Sequence, residues 1–139
     1  MRARVQYTGS LSGTLNPPSS KNYTTRYVLV AALAEGESVV HYPAQSDDAD
    51  VLVRCLRALG AEIGEQTDAD GARHLRVRGF GRHPVGPGVL DVGNAGAVTR
   101  MLMGAGALLP EVRFETPFSE SLGKRPHDEL FSGIEQLGA

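Results

Sequence analysis

The sequence contains one cysteine, Cys55, no tryptophan and no long hydrophobic run. A single cysteine excludes an internal disulfide framework and suits a reducing compartment. The longest uncharged apolar run, residues 101–109, is too short to cross a membrane. The first residues, MRARVQYTGSLSG, lack the apolar core of a secretory signal. We therefore expect a cytoplasmic protein that does not associate with a membrane.

Neither sign of charge dominates the sequence. The 14 basic and 16 acidic residues give a formal net charge of −2, which argues against a nucleic-acid-binding protein. A chain of 139 residues with 41% hydrophobic content can bury the core of one ordinary domain. There is no P-loop motif, so a nucleotide-binding loop of that kind is not predicted. Metal-ligand spacing is also missing among the four histidines, which are His41, His74, His83 and His127.

Strand and helix patterns alternate along the chain, which indicates a mixed α/β (α+β) fold. Gly36 is predicted to cap the first helix, and residues 79–88 form a loop by composition. Cys55 falls on the apolar stripe of the second helix, so it is interpreted as a core residue. The predicted strands are residues 13–16, 38–41, 62–66, 74–78, 89–92 and 112–116, and the predicted helices are residues 21–34, 47–59, 95–109 and 126–137.

The pattern of elements occurs twice. Placing Arg26 on Arg100 aligns SSKNYTTR with GNAGAVTR and gives a repeat of roughly 75 residues, each unit βαβαββ. Unit one covers about residues 13–80, and unit two covers about residues 89–139 without its last two strands. Missing strands leave open sheet edges, so we expect a fragment that dimerises or pairs with a partner chain.

Basic and small residues recur at predicted helix starts, where unpaired N–H groups and the helix dipole favour an anion. If the units pack side by side, these helix ends converge on one anionic-ligand pocket. The alternative is that each cation is an ordinary solvated surface charge. Ser46, Asp47 and Asp48 are interpreted as a helix cap rather than a metal or acid–base site. The candidate residues are Lys21, Asn22, Arg26, Asn94, Gly96, Arg100, Lys124 and Arg125.

Four sequence blocks carry a family resemblance: SSKNYTTRYVLVAALAEGESVV, SDDADVLVRCLRALGA, GNAGAVTRML and ESLGKRPHDELFSGIEQLGA. In order and spacing they resemble the amino-terminal part of the 5-enolpyruvylshikimate-3-phosphate synthases, and they cover nearly the whole chain. GNAG-x-x-x-R together with SL-x-KRP makes the resemblance specific. It implies an amino-terminal domain fragment of a two-domain enzyme, built from the repeated βαβαββ units of the enolpyruvyl transferase inside-out barrel.

The resemblance also implies an activity and roles for residues. Such enzymes transfer the enolpyruvyl group of phosphoenolpyruvate to the 5-hydroxyl of shikimate 3-phosphate and release phosphate, without a metal or organic cofactor. Lys21 and Arg100 would be catalytic. Lys21 and Arg125 would contact phosphoenolpyruvate, and Asn22 and Arg26 would face shikimate 3-phosphate. Asn94 and Gly96 would line the phosphoenolpyruvate pocket, where glyphosate also binds. The acid–base groups of the second domain are not in these 139 residues, so the chain alone is expected to be inactive.

The sequence departs from the family pattern at three places. PSSK at residues 18–21 replaces PGSK, Asn22 replaces Ser, and Ala97 replaces Thr. Two alternatives stay open. The related UDP-N-acetylglucosamine enolpyruvyl transferases also have Lys followed by Asn, but they carry a Cys in a loop that here reads TPFSESLGKRP. The second alternative is a non-catalytic anion-binding module that assembles with a partner chain.

Overall fold

The computed structural model describes residues 2–139 and contains four α-helices, one 3₁₀ turn and five β-strands within that range. The helices follow the predicted segments closely, although each ends slightly earlier than predicted. In chain order the elements are α1 (Lys21–Leu33), β1 (Glu37–His41), α2 (Asp47–Ala58), β2 (Glu62–Thr67), β3 (Arg73–Arg78), β4 (Val89–Asp91), α3 (Gly96–Gly106), β5 (Arg113–Glu115), the 3₁₀ turn (Leu122–Lys124) and α4 (Asp128–Gln136).

Three local predictions were wrong. Residues 13–16 form no strand, because no neighbouring strand pairs with their backbone and the whole segment 2–20 is exposed. The cap of α1 is Ala34, while Gly36 (φ +91°) makes the turn into β1. Pro126 precedes α4 instead of lying in its first turn, since His127 is the N-cap.

The first sheet has the order β1-β3-β2, with both neighbours antiparallel to the central strand. Alternate side chains point to opposite faces, so Leu75 and Val77 of β3 are buried under the helices while Arg76 is exposed. Ile63 and Val40 from the flanking strands join the same apolar layer. This layer fixes the register of the sheet, because a one-residue slip would turn it toward solvent.

Helix α2 covers that apolar layer, as its sequence pattern predicts. Ser46 caps the helix by accepting a hydrogen bond from the backbone N–H of Ala49 at 3.3 Å. The interpretation of Ser46 as a cap and of Cys55 as a core residue is therefore confirmed. The stripe of α2 is buried throughout and consists of Val51, Leu52, Cys55, Leu56 and Leu59.

The second sheet is a parallel pair, β4 and β5, and α3 is the connection between the two strands. Leu90 on β4 and Val98 and Leu102 on α3 are fully buried. These side chains continue the core formed by the first sheet, so both halves of the chain share one apolar cluster. The start of α3 is consequently held in a fixed position beside α2. Within residues 2–139, no helix combines the length and apolar character needed to cross a membrane.

Candidate anion-binding site

The turn before α3 leaves the helix start open to a ligand. Asp91 Oδ1 accepts a hydrogen bond from the N–H of Gly93 at 2.9 Å, and Gly93 has a positive φ of 51° that favours glycine. Ala95 is the N-cap and provides no side-chain hydrogen bond, and the first turn of α3 contains no acidic residue. The first N–H groups of α3 therefore keep their hydrogen-bonding capacity and their partial positive charge.

Arg125 lies directly against this helix start. A Cβ placed on Gly96 would collide with Arg125 Nη1 and would lie 3.3 Å from Cζ of the same guanidinium. Leu122, which is buried in the 3₁₀ turn, anchors the backbone of this segment, and its carbonyl accepts a hydrogen bond from the N–H of Arg125 at 3.0 Å. A glycine at position 96 thus permits a cation to sit on an uncapped helix end, which suits a phosphate or carboxylate.

Arg100 connects the helix start with the segment that carries Arg125. Its Nη1 donates to the carbonyl of Gly96 and its Nη2 donates to the carbonyl of Pro126, both at 3.3 Å. Pro126 is the residue next to Arg125, so the Arg100 side chain is hydrogen-bonded to the backbone from which the Arg125 side chain extends.

The start of α1 carries the second group of candidate residues. Arg26 Nη1 donates to the carbonyl of Asn22 at 2.8 Å, which folds the guanidinium back toward the N-terminus of α1. Ser20 caps this helix by accepting from the N–H of Tyr23 at 3.4 Å, and the first turn contains no acidic residue. Arg26, Asn22 and Lys21 are exposed and lie together at one helix end.

The starts of α1 and α3 share two contacts at positions that the sequence alignment makes equivalent. Arg26 and Arg100 each donate through Nη1 to the carbonyl four residues earlier. Thr25 and Thr99 are both buried, and each hydroxyl donates to the carbonyl four residues earlier, at 3.2 and 2.9 Å. The two Thr-Arg pairs thus repeat in structure as well as in sequence.

Asp48 contacts the start of α1 and also lines a groove beside the turn before α3, neither of which was predicted from the sequence. Lys21 Nζ lies 3.2 Å from Asp48 Oδ2 at the start of α2. Asp48 also lines a groove of about 410 Å³ whose other wall includes Asn94 and Ala95 of the turn before α3. No spacing in the sequence signals this ion pair, because it depends on how α1 packs against α2. Of the candidate residues, Asn94 lines the groove.

The helix starts differ in their suitability for an anion. The first turn of α2 has a side-chain cap and three acidic residues, Asp47, Asp48 and Asp50, which repel a negative ligand. Lys124 forms an exposed ion pair with Glu120 instead of facing the start of α3, so only Arg125 of that pair joins the site. The starts of α1 and α3 thus remain the candidates for an anion, and their convergence on one pocket stays a prediction.

Two further observations concern metal and thiol chemistry in the described part of the chain. Among residues 2–139, no group of three or more His, Cys, Asp or Glu side chains is placed to hold a metal ion. Burial raises the pKa of the Cys55 thiol to about 11, so the thiolate needed for nucleophilic attack is disfavoured. Cys55 donates instead to the carbonyl of Asp91 at 3.4 Å.

The fold is mixed α/β, and its candidate site places the Arg125 guanidinium against the uncapped N–H groups of α3, an arrangement that suits an anion. A sequence profile described as EPSP synthase (3-phosphoshikimate 1-carboxyvinyltransferase) matches residues 5–139. The chain belongs to the EPSP synthase family.

Relatives named 3-phosphoshikimate 1-carboxyvinyltransferase align along almost the whole chain. The protein from Deinococcus radiodurans is 50% identical over 129 residues, which are 93% of this chain and 28% of the relative. The protein from Burkholderia pseudomallei is 34% identical over 133 residues, which are 96% of this chain and 29% of the relative. The chain therefore spans less than a third of these relatives' length.

The fold is also found among solved structures. EPSP synthase from Acinetobacter baumannii superimposes with a TM-score of 0.69 at 24% identity, covering 91% of this chain and 28% of that one. At this identity the similarity concerns the fold. The family resemblance inferred from the four sequence blocks is thus confirmed.

Proposed function

We propose that the chain is part of an enzyme that transfers the enolpyruvyl group of phosphoenolpyruvate to the 5-hydroxyl of shikimate 3-phosphate and releases phosphate. Membership in the EPSP synthase family and the 50% identity to the Deinococcus radiodurans relative support this activity. The observation that carries the site assignment is Arg125 seated against Gly96 at the uncapped start of α3.

In this proposal phosphoenolpyruvate binds at the start of α3. Its phosphate or carboxylate accepts hydrogen bonds from the first N–H groups of the helix and from Arg125, while Asn94 lines the same pocket. Lys21 approaches from α1 after exchanging its ion pair with Asp48 for the ligand, an inexpensive exchange because the lysine side chain is half exposed. Fixed cations of this kind lower the electrostatic cost of bringing two anionic substrates together.

Shikimate 3-phosphate binds at the start of α1 in the same proposal. Arg26 and Asn22 are adjacent there, and both are exposed to a ligand. Asn22 would contribute an amide where the family uses a hydroxyl. Arg100 would act in the reaction by positioning the backbone of Arg125. Its hydrogen bond to the carbonyl of the neighbouring Pro126 supports this role.

We further propose that residues 13–80 and 89–139 are two units of the enolpyruvyl transferase inside-out barrel, within the amino-terminal domain of a two-domain enzyme. The equivalent hydrogen bonds of Arg26 and Arg100, and of Thr25 and Thr99, support the repeat. The acid–base groups would come from the remaining polypeptide, so the 139-residue chain would have no turnover alone. A cytoplasmic location, expected from the sequence, belongs to the same proposal.

The test is a phosphate-release assay on a chimera in which residues 1–139 replace the matching part of the Deinococcus radiodurans relative. We expect release from phosphoenolpyruvate with shikimate 3-phosphate as acceptor and none with UDP-N-acetylglucosamine. Release only with the nucleotide sugar would overturn the proposed acceptor. Clear turnover by the 139-residue chain alone would overturn the assignment of acid–base groups to the rest of the enzyme.

A further inference from the structure

Two histidines that are 33 residues apart in sequence face each other on the first sheet. His41 is the last residue of β1, His74 lies near the start of β3, and the antiparallel register pairs the two directly. Both belong to the face that is turned away from the helices, because their neighbours Val40 and Leu75 are buried. Their Nδ1 atoms are 3.0 Å apart, a hydrogen-bond distance, so one Nδ1–H donates to the other Nδ1 when no metal ion takes the place of that proton.

Asp68 orients the His74 ring from its other side. Its Oδ2 lies 3.1 Å from His74 Nε2, while its Oδ1 accepts hydrogen bonds from the N–H groups of Asp70 and Ala72 at 3.0 and 2.8 Å. A carboxylate on Nε2 keeps the proton there and leaves the Nδ1 lone pair of neutral His74 directed at His41.

This arrangement matches the way in which proteins prepare histidine as a metal ligand. A ligating histidine commonly donates its other ring N–H to a carboxylate, which fixes the tautomer and raises the basicity of the ligating nitrogen. Two nitrogens at about 2.0–2.1 Å from one ion lie roughly 2.8–3.0 Å apart at adjacent corners of the square-planar geometry that Cu²⁺ and Ni²⁺ prefer, and roughly 3.3–3.4 Å apart in the tetrahedral geometry of Zn²⁺. The observed Nδ1 separation of 3.0 Å fits the first geometry, and a small rotation of the exposed His41 ring would reach the second.

The surroundings of the pair also permit a cation. The Tyr42 ring packs edge-on against His74, with ring centroids 5.4 Å apart, and closes one side. Arg76, two residues along β3 on the same face, is neutralised by Glu37 at 2.7 Å. The other side of His41 is open to water, which can complete the coordination sphere.

We propose that His41 and His74 bind one divalent late first-row transition-metal ion through their two Nδ1 atoms, with Asp68 as the hydrogen-bond partner of His74 and water as the remaining ligands. Imidazole nitrogens suit Cu²⁺, Ni²⁺ and Zn²⁺, and Cu²⁺ binds most strongly in this series. With one ligand on each strand, the ion ties β1 to β3. The site is separate from the proposed enolpyruvyl transfer and does not depend on it.

The test is a titration of the 139-residue chain with Cu²⁺ alone, followed by calorimetry and by electron paramagnetic resonance. We expect one equivalent bound tightly, with nitrogen couplings from two imidazoles. His41→Asn and His74→Asn should each weaken binding by at least about tenfold and leave couplings from one imidazole, and Asp68→Asn should weaken it by about 10–100-fold. His83→Asn and His127→Asn are the matched controls and should leave the tight site intact.

Thermal melting provides a second readout. Excess Ni²⁺ should raise the melting temperature of the parent chain and of His83→Asn, and it should not raise that of His41→Asn. His41 is exposed, so its replacement keeps the fold even if His74→Asn does not. Tight Cu²⁺ binding that survives His41→Asn, or the lack of a tight equivalent in the parent chain, would overturn the proposal.

Discussion

Replacing Gly96 by alanine should displace Arg125 from the start of α3 without unfolding the protein. The new Cβ would collide with Nη1 of Arg125 and approach Leu122 Cδ1 at 3.5 Å, an ordinary contact distance. The colliding group is the end of a flexible side chain, so it can swing away. Alanine also favours helix formation over glycine by up to about 1 kcal/mol, which offsets part of any packing loss.

The substitution should therefore weaken ligand binding more than it changes the stability of the fold. A charge-assisted hydrogen bond to a ligand contributes on the order of 1.5–3 kcal/mol. Each 1.4 kcal/mol corresponds to a factor of ten, so losing the Arg125 contact should raise the KM for phosphoenolpyruvate by roughly 10- to 150-fold. The stability of Gly96→Ala should stay within about 1 kcal/mol of the parent, because only the Arg125 side chain has to move.

Gly104→Ala provides the matched control on the same helix. A Cβ on Gly104 meets no atom within 4 Å, so this variant gains helix propensity without touching Arg125. The assay is steady-state phosphate release by the chimera, with chemical denaturation of each variant in parallel. An unchanged KM in Gly96→Ala, or equal changes in the two variants, would refute the placement of phosphoenolpyruvate at this helix start.

Three further predictions concern other parts of the molecule. Ala97→Thr should change glyphosate affinity more than shikimate 3-phosphate affinity in competition assays, since position 97 adjoins the start of α3; equal changes would contradict that placement. Gly106→Ala should destabilise the chain by about 1–3 kcal/mol in urea, because the added Cβ would come within 2.9 Å of Val112 Cγ1; unchanged stability would rule out this close approach. Asp68→Asn should flatten the acid side of the stability-against-pH curve, since the His74 contact lowers the Asp68 pKa and that stabilisation disappears as pH falls through the lowered value; an unaltered acid limb would argue against the contact.

The local patterns of the sequence were sufficient to predict the helices and most of the strands. The apolar stripe through Cys55 and the Ser46 cap depend on spacing within one helix, and both were predicted correctly. The strand expected at residues 13–16 failed because pairing partners decide whether an extended segment becomes a strand. Short apolar segments contain no information about which neighbour is available.

The candidate site was predictable only in part. The alignment of Arg26 with Arg100 predicted two cationic helix starts, and their hydrogen bonds have the same geometry. The contact of Lys21 with Asp48 depends on how α1 packs against α2, and the pairing of His41 with His74 depends on strand register. Both are products of tertiary structure, so no spacing in the sequence could indicate them.

Removal of the Arg125 guanidinium is the direct test of phosphoenolpyruvate binding at the start of α3, because this group joins the helix start to the proposed ligand. The measurement is the KM for phosphoenolpyruvate of Arg125→Ala in the chimera, beside Arg113→Ala, whose side chain is 71% exposed and pairs only with Glu111 at 3.6 Å. We expect the KM to rise by at least about tenfold in Arg125→Ala and to stay unchanged in Arg113→Ala. An unchanged KM in Arg125→Ala would contradict phosphoenolpyruvate binding at the start of α3.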